Sequence, residues 1–287
     1  MALRSGLIAE EVVGRSLFEL FPELQTRGFE RYFRQVLSGQ TAILSQRFHN
    51  YIIPLPAIVG GSHAERMQQS GRIVPLVAEG VVQGTLTILE DVTEQCTYIR
   101  ESKPEIAALN MGTMNYSKYS RARKAFDFDM VFPNTYEKNI TLLKAMNEAG
   151  VKPELECFDT GHTQGIWPLI DMGVLKAPLQ FSFIVNVLGG IPGLVESLQL
   201  QTKIIPPGSE WEVIGISHGQ WRMLGAALVL GGNIRCGLED HLYLPSGEPA
   251  KSNGELVEVA VRMTRDVGRT PATVDQAREI LGLGAAS

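Results

Sequence analysis

Arg235, Glu239 and Asp240 fall within six consecutive positions, directly after the short apolar strand expected at Gly231 to Ile234. An arginine and two acids beside a buried segment cost desolvation free energy unless they pair with each other or bind something. At the C-terminal end of a strand in a β/α barrel, such groups do chemistry, because catalytic residues collect at that rim. The bland alternative is an ion pair stitching the strand to its loop. The preceding run Ala226-Ala227-Leu228-Val229-Leu230 is expected to be buried behind them.

The elements that must carry this trio alternate between strand and helix from residue 104 onward. Strands are expected at 105–109, 154–158, 179–185, 211–216 and 232–236. A helix at 136–149 has Asn134 or Thr135 as cap and Gly150 as terminator. Leu256, Val259, Ala260, Met263 and Val267 form an amphipathic stripe, and Thr273-Val274-Asp275-Gln276 reads as a capping box opening a last helix. Repeated strand–helix units imply a parallel sheet.

Composition narrows the classes. The chain has 287 residues, 44% hydrophobic and 20% charged, with a net charge of -5. That describes a globular protein with a real core and disfavours nucleic acid as partner. The window 178–195 is apolar but holds two prolines and three glycines, so it reads as a buried strand and loop and no membrane span is expected. Cys96, Cys157 and Cys236 are scattered without metal-binding spacing, which suits a cytoplasmic setting. All nine lysines lie at or after Lys103. This break suggests two segments of different origin, 1–97 and 98–287.

In the first segment, residues 6–40 read as helical and Phe48 to Ile53, Arg72 to Val77 and Val81 to Leu89 as strands. Val13 to Leu24, Arg72 to Leu76, Gly84 to Ile88 and the ending Glu90-Asp91-Val92-Thr93-Glu94 resemble, in order, the PAS sensory family. The resemblance implies an α+β fold that begins at its helices, with no ligand specified. His49 and His63 read as surface or satisfied core residues.

The second segment resembles the β-keto acid cleavage enzyme family over about residues 100–287. The matching text is Lys103-Pro104-Glu105, Asn110 to Asn115, Lys152 to Glu156, the glycine-rich loop 188–193, Gly231 to Asp240, Ser252-Asn253 and 273–281. The resemblance implies an α/β fold, here the last five strand–helix units of a (β/α)8 TIM-type barrel. It implies a zinc-dependent retro-Claisen exchange, in which a β-keto acid and acetyl-CoA give acetoacetate and a new acyl-CoA, and a homo-oligomer. By position, Asp240 and Arg235 match the family's catalytic residues and Glu239 its glutamate zinc ligand. Thr113 matches a substrate-contacting hydroxyl, with Asn110, Glu156 and Asp159 as further substrate contacts. For Thr113 the alternative is a loop cap, and for Glu156 an outward-facing position.

The family's His-x-His pair, which supplies two zinc ligands, has no counterpart. The five histidines, at 49, 63, 162, 218 and 241, are isolated, and His162 or His218 would have to substitute. Glu239 alone is expected to hold zinc poorly, with little turnover. Five strands cannot close a barrel, so two edges are expected to need cover. The rival class is a non-enzymatic PAS-type sensory or interaction protein, or a chimeric gene product.

Overall fold

The computed structural model describes residues 13–40, 42–44, 52–53, 69–78 and 81–284. It divides into two compact units, Met1–Ser102 and Lys103–Ser287.

Among the described residues, the first unit contains three short helices, α1 (Leu17–Leu20), α2 (Glu23–Thr26) and α3 (Glu30–Leu37). The sequence reading had one helical region here. Pro22, at the N-cap of α2, and Gly28, at a φ of 73°, break it into pieces. Strand β1 (Ala42–Leu44) pairs antiparallel with β2 (Gln69–Ala78), and β2 with β3 (Val81–Asp91). Leu24, Phe29, Val36, Leu44, Ile52 and Ile73 make a shared core, each at most 2% exposed. Ile52 and Ile53 sit in a bend, not a strand, while residues 6–12, Phe48, His49, Tyr51 and His63 lie outside the described residues. The expected join at 95–103 is largely helical, since α4 runs from Val92 to Ser102.

The second unit is built on strand β4 (Ile106–Met111). An antiparallel hairpin, β5 (Met114–Ser120) and β6 (Ala125–Phe132), follows and was not anticipated. Helix α5 (Tyr136–Ala149) has Thr135 as N-cap, its Oγ1 accepting from Lys138 N, and Gly150 at a φ of 74° as its stop. Then come β7 (Lys152–Cys157), α6 (Thr160–Gln164), α7 (Trp167–Asp171), β8 (Gln180–Val185), α8 (Val195–Ile204) and β9 (Glu210–Gly215). A 3-10 turn at Ser217–Gly219 leads into α9 (Gln220–Val229) and β10 (Asn233–Arg235), and α10 (Asn253–Asp266) and α11 (Val274–Ile280) complete the unit. Ala226 to Val229 therefore belong to a helix. Ala227 and Leu228 are buried, but Val229 is 74% exposed, so only part of that run is hidden.

The five strands β4, β7, β8, β9 and β10 pair in chain order, all parallel. Alternation along each strand separates two faces. On one, Met111, Cys157, Phe183 and Val213 form a row whose members are each 1% exposed or less. Burying each leucine or phenylalanine of this apolar face contributes about 1.5–3 kcal/mol. On the other face, Asn110, Glu156, Ser182, Glu212 and Asn233 lie in register as a polar row. Two residues further along the strand direction, on this same face, stands an apolar row of Phe158, Ile184 and Ile214, packed with Met114, Tyr116 and Phe132 of the hairpin.

Helix α11 begins with the anticipated capping box between Thr273 and Gln276. It lies against the N-terminal ends of the strands. Arg278 donates from Nη1 to Glu105 Oε2 at 2.9 Å, just before β4. A cavity of about 150 Å³ separates Ala277, Ile280 and Leu281 from Gln180, Glu210, Glu212 and Asn233.

Candidate functional site

Because the sheet is parallel, the loops after its strands share one rim, and most of the anticipated site residues sit there. Thr113 follows β4, Asp159 follows β7, Arg235 ends β10, and Glu239 and Asp240 come directly after it. Asn110 and Glu156 lie one layer deeper, side by side in the polar row.

Arg235 is the hub. Its Nη2 donates to Glu239 Oε1 at 2.6 Å, and its Nη1 lies 3.4 Å from Glu156 Oε1 and 3.6 Å from Glu154 Oε1. Its Nε is 4.0 Å from Asp240 Oδ2. The long side chain thus spans from β10 back to β7. The turn 237–241, closed by His241 N donating to Gly237 O, and Ser217 N donating to Asp240 O hold the loop against the end of β9. The Asp240 side chain is 8% exposed, and its Oδ2 is buried with no hydrogen-bond partner. Burial pushes the Asp240 carboxyl up to about 6, against the pull of Arg235. Burial and the neighbouring Glu154 charge likewise raise Glu156, again against Arg235.

Two anticipated substrate contacts have structural partners of their own. Thr113 Oγ1 accepts from Asn134 N at 2.9 Å and so fastens the base of the hairpin, the alternative entertained from sequence. Asp159 caps α6, its Oδ1 accepting from Gly161 N at 3.0 Å. The glycine-rich loop also has a packing reason. A side chain on Gly189, at a φ of 104°, would run into the Asn115 carbonyl, and one on Gly190 into that of Phe158.

Three residues of the site were missed: Glu154, Ser182 and Glu212. Ser182 Oγ is 2.6 Å from Glu154 Oε1 and 2.9 Å from Glu212 Oε1. Burial and the Glu154 charge push Glu212 up to about 7. The available signal was parity, since Glu154 and Glu156 on one strand and Glu210 and Glu212 on another repeat every second residue and must share a face.

A profile for the beta-keto acid cleavage enzyme matches residues 60–283. The chain belongs to the beta-keto acid cleavage enzyme family. A PAS fold profile matches residues 2–96. The 3-keto-5-aminohexanoate cleavage enzyme of Acetoanaerobium sticklandii is 39% identical over 181 residues, which are 63% of this chain and 63% of that protein. The 3-dehydrocarnitine:acetyl-CoA trimethylamine transferase of Rhizobium meliloti is 30% identical over 197 residues, 69% of this chain and 62% of that one. This family member thus spans under two thirds of the length of these relatives. An apo structure of ObcA superimposes with a TM-score of 0.51 at 18% identity, covering 63% of this chain and 44% of that one, a likeness of fold.

A zinc ion, implied by the family resemblance, would need ligands from Glu239 and from histidines near it. Glu239 is 72% exposed and its carboxylate is already engaged by Arg235. His162, a suggested substitute, accepts from Phe158 N through Nδ1 at 3.3 Å and makes a second hydrogen bond to the Thr113 backbone. His218 stands beside His241, with ring centroids 6.1 Å apart. Among the described residues, no group of three or more His, Cys, Asp or Glu side chains is disposed to hold a metal ion. The described residues do not fit a zinc site.

Proposed function

We propose that residues 103–287 are five strand–helix units of a (β/α)8 barrel that serves the cleavage of a β-keto acid with acetyl-CoA. Two side chains carry this chain's share of the chemistry. Arg235 is the cation for the substrate carboxylate, and Asp240 is the group that takes and returns a proton. The observation that carries the reading is the buried Oδ2 of Asp240, which has no hydrogen-bond donor and lies 4.0 Å from Arg235 Nε. A carboxylate oxygen kept from water without a donor is a ready proton acceptor, and burial brings its pKa closer to the working range of a general base.

Glu239 supports the assignment of Arg235. It is exposed, and its carboxylate occupies the outer edge of the guanidinium at 2.6 Å, where another carboxylate can take its place. The acetyl-CoA transferases among the relatives support acetyl-CoA as co-substrate. No step is assigned to zinc, whose ligands these residues do not assemble.

Acetoacetate, the β-keto acid common to the reaction, is the probe. Saturation-transfer NMR on the full chain is expected to show binding, weakened about tenfold in Arg235→Gln by loss of a charge-assisted hydrogen bond. Equal binding by the variant would remove Arg235 from the role. The division of labour between the units has its own check. Limited proteolysis is expected to cut first at 101–105, where the chain leaves α4 through Lys103 at a φ of 40°. Earlier cuts within 106–284 would argue against two separately packed units.

The PAS fold match supports a second reading, a sensory or interaction protein in which the parallel sheet is a scaffold. Acetoacetate binding that depends on Arg235 separates the two.

A further inference from the structure

We propose that Glu154 and Glu212 share a proton across Ser182 at neutral pH, so that Glu212 stands as a neutral acid that sets the charge beneath Arg235. The argument is a count of hydrogens. Ser182 is fully buried, and its one hydroxyl proton faces two carboxyl oxygens, Glu154 Oε1 at 2.6 Å and Glu212 Oε1 at 2.9 Å. A hydroxyl donates once. The second contact closes only if a carboxyl donates to Ser182 Oγ, which requires one glutamate to be protonated.

The surrounding charges favour the same outcome. Glu154 and Glu156 face this point from β7, Glu210 from β9, and Asp240 from the loop after β10; the cations are Arg235, which reaches across them, and Lys152 of β7, which acts on Glu210. Two ionised carboxylates joined through one buried hydroxyl repel each other with little water to screen them. Glu212 is the better holder of the proton, because burial and the Glu154 charge both disfavour its ionised form. It also lines the 150 Å³ cavity above α11, which gives the proton a route to solvent.

The consequence for the site is positional. With Glu212 neutral, Arg235 is shared among fewer anions and keeps attraction for an incoming carboxylate. Loss of the proton adds a negative charge to the same face and weakens that attraction. This last step rests on the reading of Arg235 as the carboxylate anchor, whereas the shared proton does not.

Carboxyl carbon NMR of the full chain labelled at glutamate tests the proton directly. One resonance, absent in Glu212→Gln, is expected to titrate above pH 6, and Ser182→Ala is expected to shift its midpoint. If Glu212→Gln fails to fold, Glu154→Gln serves instead, and the pair is then assigned by which resonance it moves. Midpoints below pH 6 for both glutamates would overturn the proposal. In a second arm, acetoacetate affinity is expected to fall about fivefold between pH 6 and pH 8 as one charge is added near Arg235. Glu212→Gln is expected to remove the part of that fall due to Glu212, leaving the contribution of Asp240. A high-titrating resonance with pH-independent affinity would keep the shared proton and overturn the role of Arg235.

Discussion

Arg235→Ala is expected to destabilise the chain by about 2–4 kcal/mol at pH 7, the range for leaving buried carboxylates without their cation, reduced because Arg235 is partly exposed. The guanidinium reaches Glu154, Glu156, Glu239 and Asp240, and Glu156 is 8% exposed. Urea unfolding followed by tryptophan fluorescence reads the right unit, because all three tryptophans lie between 167 and 221. The deficit is expected to shrink towards pH 5. Glu156 and Asp240 have folded-state pKa values raised by burial, and without Arg235 they rise further. The folded variant then binds more protons than the unfolded chain as pH falls, which restores stability. A deficit that stays constant from pH 7 to pH 5 would show that the loss is one of packing, not of charge balance.

The second large effect is on metal and turnover. The purified chain is expected to retain well under one zinc per molecule and to show little or no coenzyme A-dependent cleavage of a β-keto acid. A catalytic zinc takes three protein ligands, and its affinity collapses when a single carboxylate must hold it. Glu239 Oε1 is also paired with Arg235 at 2.6 Å, so a metal at this carboxylate would compete with a cation for its charge. Metal analysis with a coupled acetoacetate assay decides the point. Stoichiometric zinc, with activity that vanishes in Glu239→Gln, would mean that a ligand set forms which the described residues do not display.

What could be read in advance depended on how local the signal was. Arg235 ends β10 and Glu239 and Asp240 lie in the loop after it, so proximity in sequence was proximity in space. The five parallel strands were legible from the repeated alternation of strand and helix, and the caps at Thr135 and Thr273 are signals spanning three residues. The hairpin was silent for a physical reason. Its turn, Arg121 to Lys124, contains no glycine or asparagine, and its strands mix Tyr116, Tyr119, Phe126 and Phe128 with charged residues. Thr113 found its partner in Asn134, 21 residues away, which no local pattern encodes. The trio of Glu154, Ser182 and Glu212 depended on register across three strands, a quantity set by pairing.

The placement of α11 bears on the order of folding. Arg278 and Glu105 are separated by 173 positions that enclose the whole parallel sheet, and the helix reaches under the starts of strands made much earlier. Contacts of that separation close late, because the entropy of joining distant ends must be met before they stabilise anything. On a ribosome, every strand of the sheet leaves the exit tunnel before the helix that underlies them exists. The nascent sheet therefore waits with its lower rim uncovered until α11 has been synthesised.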